Sequence, residues 1–356
     1  MPEFPLTILA GRDAIKRIER DGWSPELFTA LVGASGGAKL LGLTHLDRFL
    51  FGDYLQQTSH RMDLYGSSIG SWRHAALASP EPLAAISGLQ DRYLNQQWDE
   101  NDRRKPHEVV DELCDWVLDS ICSTENASHI CNHPRFNTHI VTARGLGLNN
   151  AQRSLRLGLG MGLAAIRNTL GREQLAKSFQ RVVFSTGPSW AFEFSDFSTR
   201  HVSLSPATLK QALLASGSIP FLMSGQQDIP AAPPGQYWDG GIIDYHFDFS
   251  NHSGNGLVLY PHFSERVAMG WFDKSLPWRA NSADQLSRTI ILAPSRSYLS
   301  RLPNGRIPDR RDFSRMSQQT RMTCWKQAMD MSRELADAFD GVVRGSDPLS
   351  RVRPIG

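Results

Sequence analysis

The feature that most constrains this chain is a pair of glycine-serine turns 33 residues apart, Gly33-Ala34-Ser35-Gly36-Gly37 and Gly66-Ser67-Ser68-Ile69-Gly70. The first follows the apolar run Thr29-Ala30-Leu31-Val32, the second follows Met62-Asp63-Leu64-Tyr65, and each opens a helix-compatible stretch. Both fit G-x-S-x-G, in which a strand, a strained turn and a helix expose a serine hydroxyl. The flanking glycines permit the close backbone approach that such a turn needs. Strands alternating with helices imply an α/β fold around a mostly parallel sheet. A hydrolase needs one nucleophile, so the other copy of the motif must do something else.

The rest of the chain continues the alternation. Strand-like runs at 28–33, 62–66, 137–143, 181–186, 256–260 and 288–293 are interleaved with helical patterns at 38–56, 72–89, 106–121, 206–216 and 312–344. Ser205-Pro206 forms an N-cap and N1 pair ahead of Ala207–Ala215. Residues 145–180, rich in Gly and Leu, have no clear period and either cover the site or connect strands. Three prolines make 225–236 a loop, and 345–356 reads as a poorly ordered end. Without a linker or a repeat, a single domain over 1–356 is expected. Its motif-bearing core spans about 28–260, with an insertion or lid at 72–136 and a helical part at 310–345.

Composition excludes several classes. Hydrophobic content of 40% and charged content of 21% are those of an ordinary globular protein. A net charge of +2, from 38 basic and 36 acidic residues, supplies no global field for nucleic acid. The late basic cluster (Arg301, Arg306, Arg310, Arg311, Arg315, Arg321) has acidic residues mixed in and reads as a solvated helical face. The N-terminus has no signal-peptide pattern, and no apolar run is long enough to span a membrane. Cys114, Cys122, Cys131 and Cys324 show no zinc-site spacing, so reduced thiols and a cytoplasmic location are expected, with peripheral membrane contact left open.

Which serine attacks is decided by context. A phosphate cradle at the first turn fails twice against the Walker pattern, with Ala38 where Gly is needed and Leu40 where Ser or Thr should bind magnesium. The first turn is better suited to presenting backbone N–H groups to an oxyanion. Downstream stand Ala215-Ser216-Gly217-Ser218-Ile219-Pro220, a helix end followed by a redirecting proline, and Asp239-Gly240-Gly241, a sharp turn carrying a carboxylate.

Taken together, these four segments resemble the patatin-like phospholipase family over about 30–245. The family's G-G-G-x-R/K loop corresponds to Ser35-Gly36-Gly37-Ala38-Lys39, with Ser35 in place of the first glycine. Its G-x-S-x-G elbow corresponds to Gly66–Gly70, its A-S-x-x-x-P segment to Ala215–Pro220, and its D-G-G/A motif to Asp239-Gly240-Gly241. The resemblance implies a three-layer α/β/α fold and a Ser68–Asp239 dyad that needs no catalytic histidine, metal or organic cofactor. It implies an oxyanion hole from the amides of Gly36, Gly37 and Ala38, each such donor contributing about 3–4 kcal/mol to the transition state. Lys39 and Ile69 become substrate contacts, and the substrate a lipid or phospholipid carboxylic ester.

Alternatives stand beside this reading. Ser35 or Ser68 with Asp239 and His252 or His262 would satisfy a Ser-Asp-His order. Asp244 rivals Asp239 but lacks the following glycines. His246 could line the site, and His74 reads as a packing or surface residue. Trp271-Phe272 and Trp278 suit either loop packing or an apolar lip at a lipid interface. A small-ester or thioester hydrolase and a catalytically silent lipid-binding scaffold are the competing functions.

Overall fold

A computed structural model describes residues 3–99, 101–152, 155–188, 192–249, 252, 254–276, 278–279 and 281–356. Its strands are β1 (Leu6–Ala10), β2 (Phe28–Gly33), β3 (Met62–Ser67), β4 (Phe136–Gly145), β5 (Phe179–Ser185), β6 (Thr199–Ser203), β7 (Gln226–Gln227), β8 (Gln236–Asp239), β9 (Leu257–Pro261), β10 (Thr289–Pro294) and β11 (Val352–Pro354). They join in one sheet of order β11-β1-β10-β9-β2-β3-β4-β5-β6, with β8 added to β4 and β7 to β8. Six pairings are parallel, while β1–β10, β4–β5, β4–β8 and β7–β8 are antiparallel. Strands β1, β3, β9 and β10 are buried along their whole length, as only a sheet covered on both faces requires. The fold is a three-layer α/β/α arrangement, as expected from the alternation.

All six sequence-read strands are present. Two more close the far edge of the sheet. The apolar run Leu6–Ala10 pairs with β10, and the chain end then pairs with it as β11. The tail is therefore ordered, against expectation. Trp23 Nε1 donates to the Pro348 carbonyl (2.8 Å) and the Ile355 amide to that of Ala10 (3.0 Å), so an edge strand of β1 templates it.

Helices are shorter than their periodicity suggested. The 38–56 stretch begins as a 3-10 turn, Gly37–Leu43, before the helix Thr44–Gly52. Pro80 and Pro82 divide 72–89 into the helices Ile69–Leu77 and Pro82–Leu94. The stretch 312–344 is three helices, Asp312–Arg315, Gln318–Met331 and Arg333–Val343, which bury Trp325, Leu335 and Phe339. The Gly- and Leu-rich region contains the helix Leu155–Leu170. Within the basic cluster Arg301, Arg310, Arg311 and Arg315 are exposed, as a solvated face requires, but Arg321 is not. Arg321 is fully buried beneath Phe313 and donates to the Gln96 carbonyl, and Arg310 and Arg311 line a cavity.

Candidate active site

Register in the sheet brings the two key residues together. Strand β5 occupies one edge of β4 over 139–145, so β3 and β8 share the other. Strand β3 ends with Ser67 opposite Val141, and β8, running the other way, ends with Asp239 opposite Thr142. The C-terminal ends of the two strands therefore meet at adjacent positions of β4. Gly240 sits in the junction, where a Cβ would lie 2.1 Å from the Val141 carbonyl oxygen.

Ser68 follows β3 directly and precedes the helix Ile69–Leu77, with φ 54° and ψ −133°. Positive φ at a residue with a side chain is strained, and the elbow holds it there. Its amide donates to Ser216 Oγ (2.9 Å), which in turn donates to the Val141 carbonyl (2.7 Å). Its own carbonyl accepts from the amide (3.0 Å) and hydroxyl (2.7 Å) of Ser71. Ser68 Oγ donates to Asp239 Oδ2 at 2.8 Å. The other carboxylate oxygen, Oδ1, accepts the Gly241 amide at 2.7 Å, and the Asp239 amide donates to the Ser218 carbonyl at 2.8 Å. Burial raises the Asp239 carboxyl to about 6, against the opposing pull of the Gly241 and Ser68 hydrogen bonds.

The first glycine-serine turn lies against this elbow. Ser35 Oγ stands 2.7 Å from Ser67 Oγ, whose hydroxyl donates to the Asp244 carbonyl (2.5 Å), and the Ser35 amide donates to the carbonyl of Tyr245 (3.0 Å). Ser35 is thus a clasp between two loops. Gly36 and Gly37 reach the same cavity as Ser68, whereas the Ala38 side chain points into the protein and is fully buried. A Cβ on Gly36 would come within 2.9 Å of the Phe263 ring.

That cavity has a volume of about 930 Å³, and Ser68, Ile69, Asp239 and Gly241 form part of its wall. Trp72, Val109, Leu113, Phe221, Leu222 and Met223 make another side apolar. Val109, Leu113 and the Cys114 thiol come from the helix Pro106–Leu118, inside the 72–136 stretch expected to be an insertion or lid. Burial pushes the Cys114 thiol up to about 12, so it is no thiolate at neutral pH. Lys39, Lys274 and Arg310 line the cavity too. Lys39 Nζ stands 4.1 Å from the Phe263 ring centroid, Lys274 Nζ 3.4 Å from that of Tyr245, and Arg310 Cζ 5.6 Å from that of Trp271. None of the three is in an ion pair among the described residues. Packing into the protein, and then neighbouring positive charge, lowers the Lys274 ammonium.

No histidine lines the cavity among the described residues. His262 Nδ1 is bound to the Ser264 backbone, His252 lies beside Phe192, and His246 Nδ1 accepts the Ala268 amide (2.8 Å). Burial depresses all three and His74 as well. Asp244 is bound to Arg181 (2.7 Å) and does not reach Ser68. The geometry thus unites Ser68, Asp239, Gly36, Gly37, Lys39 and Ile69, with Ser35 beside them in the cavity wall, and leaves the triad histidines His252 and His262 outside. Ser216 was visible in the Ala-Ser-x-x-x-Pro segment, although its bond to the Ser68 amide was not. Lys274, Arg310 and Tyr245 lie in segments with no motif to announce them. Comparison with family models, with curated proteins and with solved structures finds no match, so the functional reading stands on this geometry.

Proposed function

We propose that the protein is a serine lipid acyl hydrolase of the patatin-like kind, cleaving a carboxylic ester of a phospholipid or lysophospholipid. The observation that carries this reading is the 2.8 Å hydrogen bond from Ser68 Oγ to Asp239 Oδ2, at a strained elbow opening on a large, partly apolar cavity. Asp239 accepts the hydroxyl proton as Oγ attacks the ester carbonyl. The amides of Gly36 and Gly37 receive the oxyanion. Collapse expels the alcohol, whose oxygen takes the proton back from Asp239, and leaves an acyl-Ser68. The restored Asp239 carboxylate then takes a proton from a water that attacks the acyl carbonyl, and returns it to Ser68 Oγ as the carboxylic acid leaves. The apolar side suits an acyl chain, and Lys39, Lys274 and Arg310 suit an anionic head group.

The four free cysteines fit a reducing, cytoplasmic setting. Among the described residues no helix is long and apolar enough to cross a membrane, so contact with lipid would be peripheral.

The test compares wild type, Ser68→Ala and Asp239→Asn on a short-chain chromogenic ester and on phospholipid vesicles. The reading expects both activities to fall at least about 10³-fold in each variant. Unchanged turnover in Ser68→Ala would end it. Activity on the short ester alone would favour a small-ester hydrolase.

A further inference from the structure

The helix Leu155–Leu170 turns Leu157, Gly160, Met161, Ala164 and Asn168 into the protein. Its opposite side carries Leu155 (89% exposed), Leu159 (67%), Leu163 (39%), Ile166 (62%) and Leu170 (75%). At 3.6 residues per turn, these five fall within about 80° of arc. A helix that is apolar all round is normally covered all round. Here one whole side lies open, and a surface row of this length marks an interaction site. Gly158 and Gly162 flank the row, and a Cβ on either would meet nothing within 4 Å. Exposed Leu148 and Trp278 (74%) add apolar surface nearby, Trp278 through its neighbour Arg279, which donates to the Thr169 carbonyl at 3.3 Å.

Charge selects the occupant. From Gly145 to Gly171 the sequence has no acidic residue but has Arg153, Arg156 and Arg167, whereas the next arginine, Arg172, is turned inward onto Asp196 (2.6 Å). Arg156 is exposed and, like Arg167, falls roughly 20–40° beyond one edge of the row. A second copy laid on this face would bring arginines together with no carboxylate to answer them. An anionic lipid surface answers them and takes up the aliphatic row, with the arginine stems reaching toward head groups.

The row is also coupled to the cavity rim. Asn168 Nδ2 donates to Asp273 Oδ1 (2.7 Å) in the 3-10 turn Trp271–Ser275, and Trp271 and Lys274 of that turn line the cavity. We propose that the Leu155–Leu170 helix lies flat on an anionic lipid surface and brings the Ser68 cavity to its substrate. The proposal rests on the hydrolase reading for what docking accomplishes, while the docking itself is tested apart from catalysis.

The experiment measures sedimentation with vesicles of equal parts phosphatidylglycerol and phosphatidylcholine. It compares the Ser68→Ala protein with the same protein carrying Leu155→Gln, Leu159→Gln, Ile166→Gln and Leu170→Gln. All four positions are exposed and glutamine keeps helix propensity, so the fold should survive, as circular dichroism would check. The proposal expects vesicle partitioning to fall at least tenfold, and the parent to bind phosphatidylcholine-only vesicles several-fold less. With Ser68 restored, the glutamine variant should hydrolyse a soluble short-chain ester within twofold of wild type. Undiminished vesicle binding by the variant would overturn the proposal. So would a wild-type dimer that the substitutions split while leaving vesicle binding intact. Row-dependent vesicle binding without ester hydrolysis by wild type would sink the catalytic reading and leave the docking standing.

Discussion

Gly33 and Gly70 touch backbone to backbone. A Cβ on Gly70 would lie 2.0 Å from the Gly33 carbonyl oxygen, and one on Gly33 would lie 2.8 Å from the Gly70 Cα. The two turns that look like copies in the sequence are therefore facing halves of one junction. The parallel register of β2 and β3, with Gly33 opposite Gly66, brings them together. One half carries the strained Ser68, and the other carries the amides of Gly36 and Gly37.

Gly70→Ala should be severely damaging. The new methyl meets backbone, which cannot rotate away, so the elbow must shift. We expect a loss of at least about 3 kcal/mol in denaturant unfolding, with near-complete loss of ester hydrolysis. Gly162→Ala is the matched control, because its methyl meets nothing and a helix interior prefers alanine by about 1 kcal/mol. Equal stability of the two variants would contradict the close approach.

Ser35→Ala should separate the two serines. It removes the contact with Ser67 Oγ but leaves the Ser67 hydroxyl its acceptor at the Asp244 carbonyl. A cost of about 1–2 kcal/mol is expected, with turnover kept within about tenfold. Abolished turnover in a folded Ser35→Ala protein would return the nucleophile to the first turn.

Much of this arrangement is legible in the sequence because it is local. An apolar run ending in Gly-x-Ser announces β2 and β3, and an aspartate followed by two glycines announces the turn after β8. What resists reading is set by distance. Strands β1 and β11 pair across nearly the whole chain, so neither looks like part of a sheet from its own residues. The helix Leu155–Leu170 is apolar on both sides, which erases the period that would have revealed it. Arg321 reads as surface charge, since only tertiary packing buries it beneath Phe313, and the exposed Arg310 gives no local sign that it also borders a cavity.

Asp244 gives a test of position against chemistry. It is fully buried and paired with Arg181, which also binds Asp196 (2.8 Å). Asp244→Asn removes the charge facing a buried guanidinium. About 3–5 kcal/mol should be lost in urea unfolding. Below the unfolding transition, however, the folded Asp244→Asn protein should retain far more ester hydrolysis than Asp239→Asn. Similar kcat losses in the two folded variants would make Asp244 a rival base.

The pH dependence follows from the Asp239 carboxyl, raised by burial from 3.8 to about 6. As a base it works only when ionised, so kcat/KM should climb through about pH 6 and level off above it. Lys274 and Arg310 both hold that carboxyl down, so Lys274→Met should move the acid limb to higher pH. Stability runs the other way. A carboxyl raised on folding favours the folded state only while it stays protonated, and that contribution is lost as pH rises through the folded value. Above about pH 7 the ionised Asp239 costs the fold of the order of 3 kcal/mol, at 1.36 kcal/mol per pKa unit. Asp239→Asn removes the charge and keeps an oxygen for the Gly241 amide. The variant should therefore be inactive yet melt a few degrees above wild type at pH 8, with the gap closing as pH falls toward 4. A melting difference that does not change with pH would show that Asp239 carries no such strain.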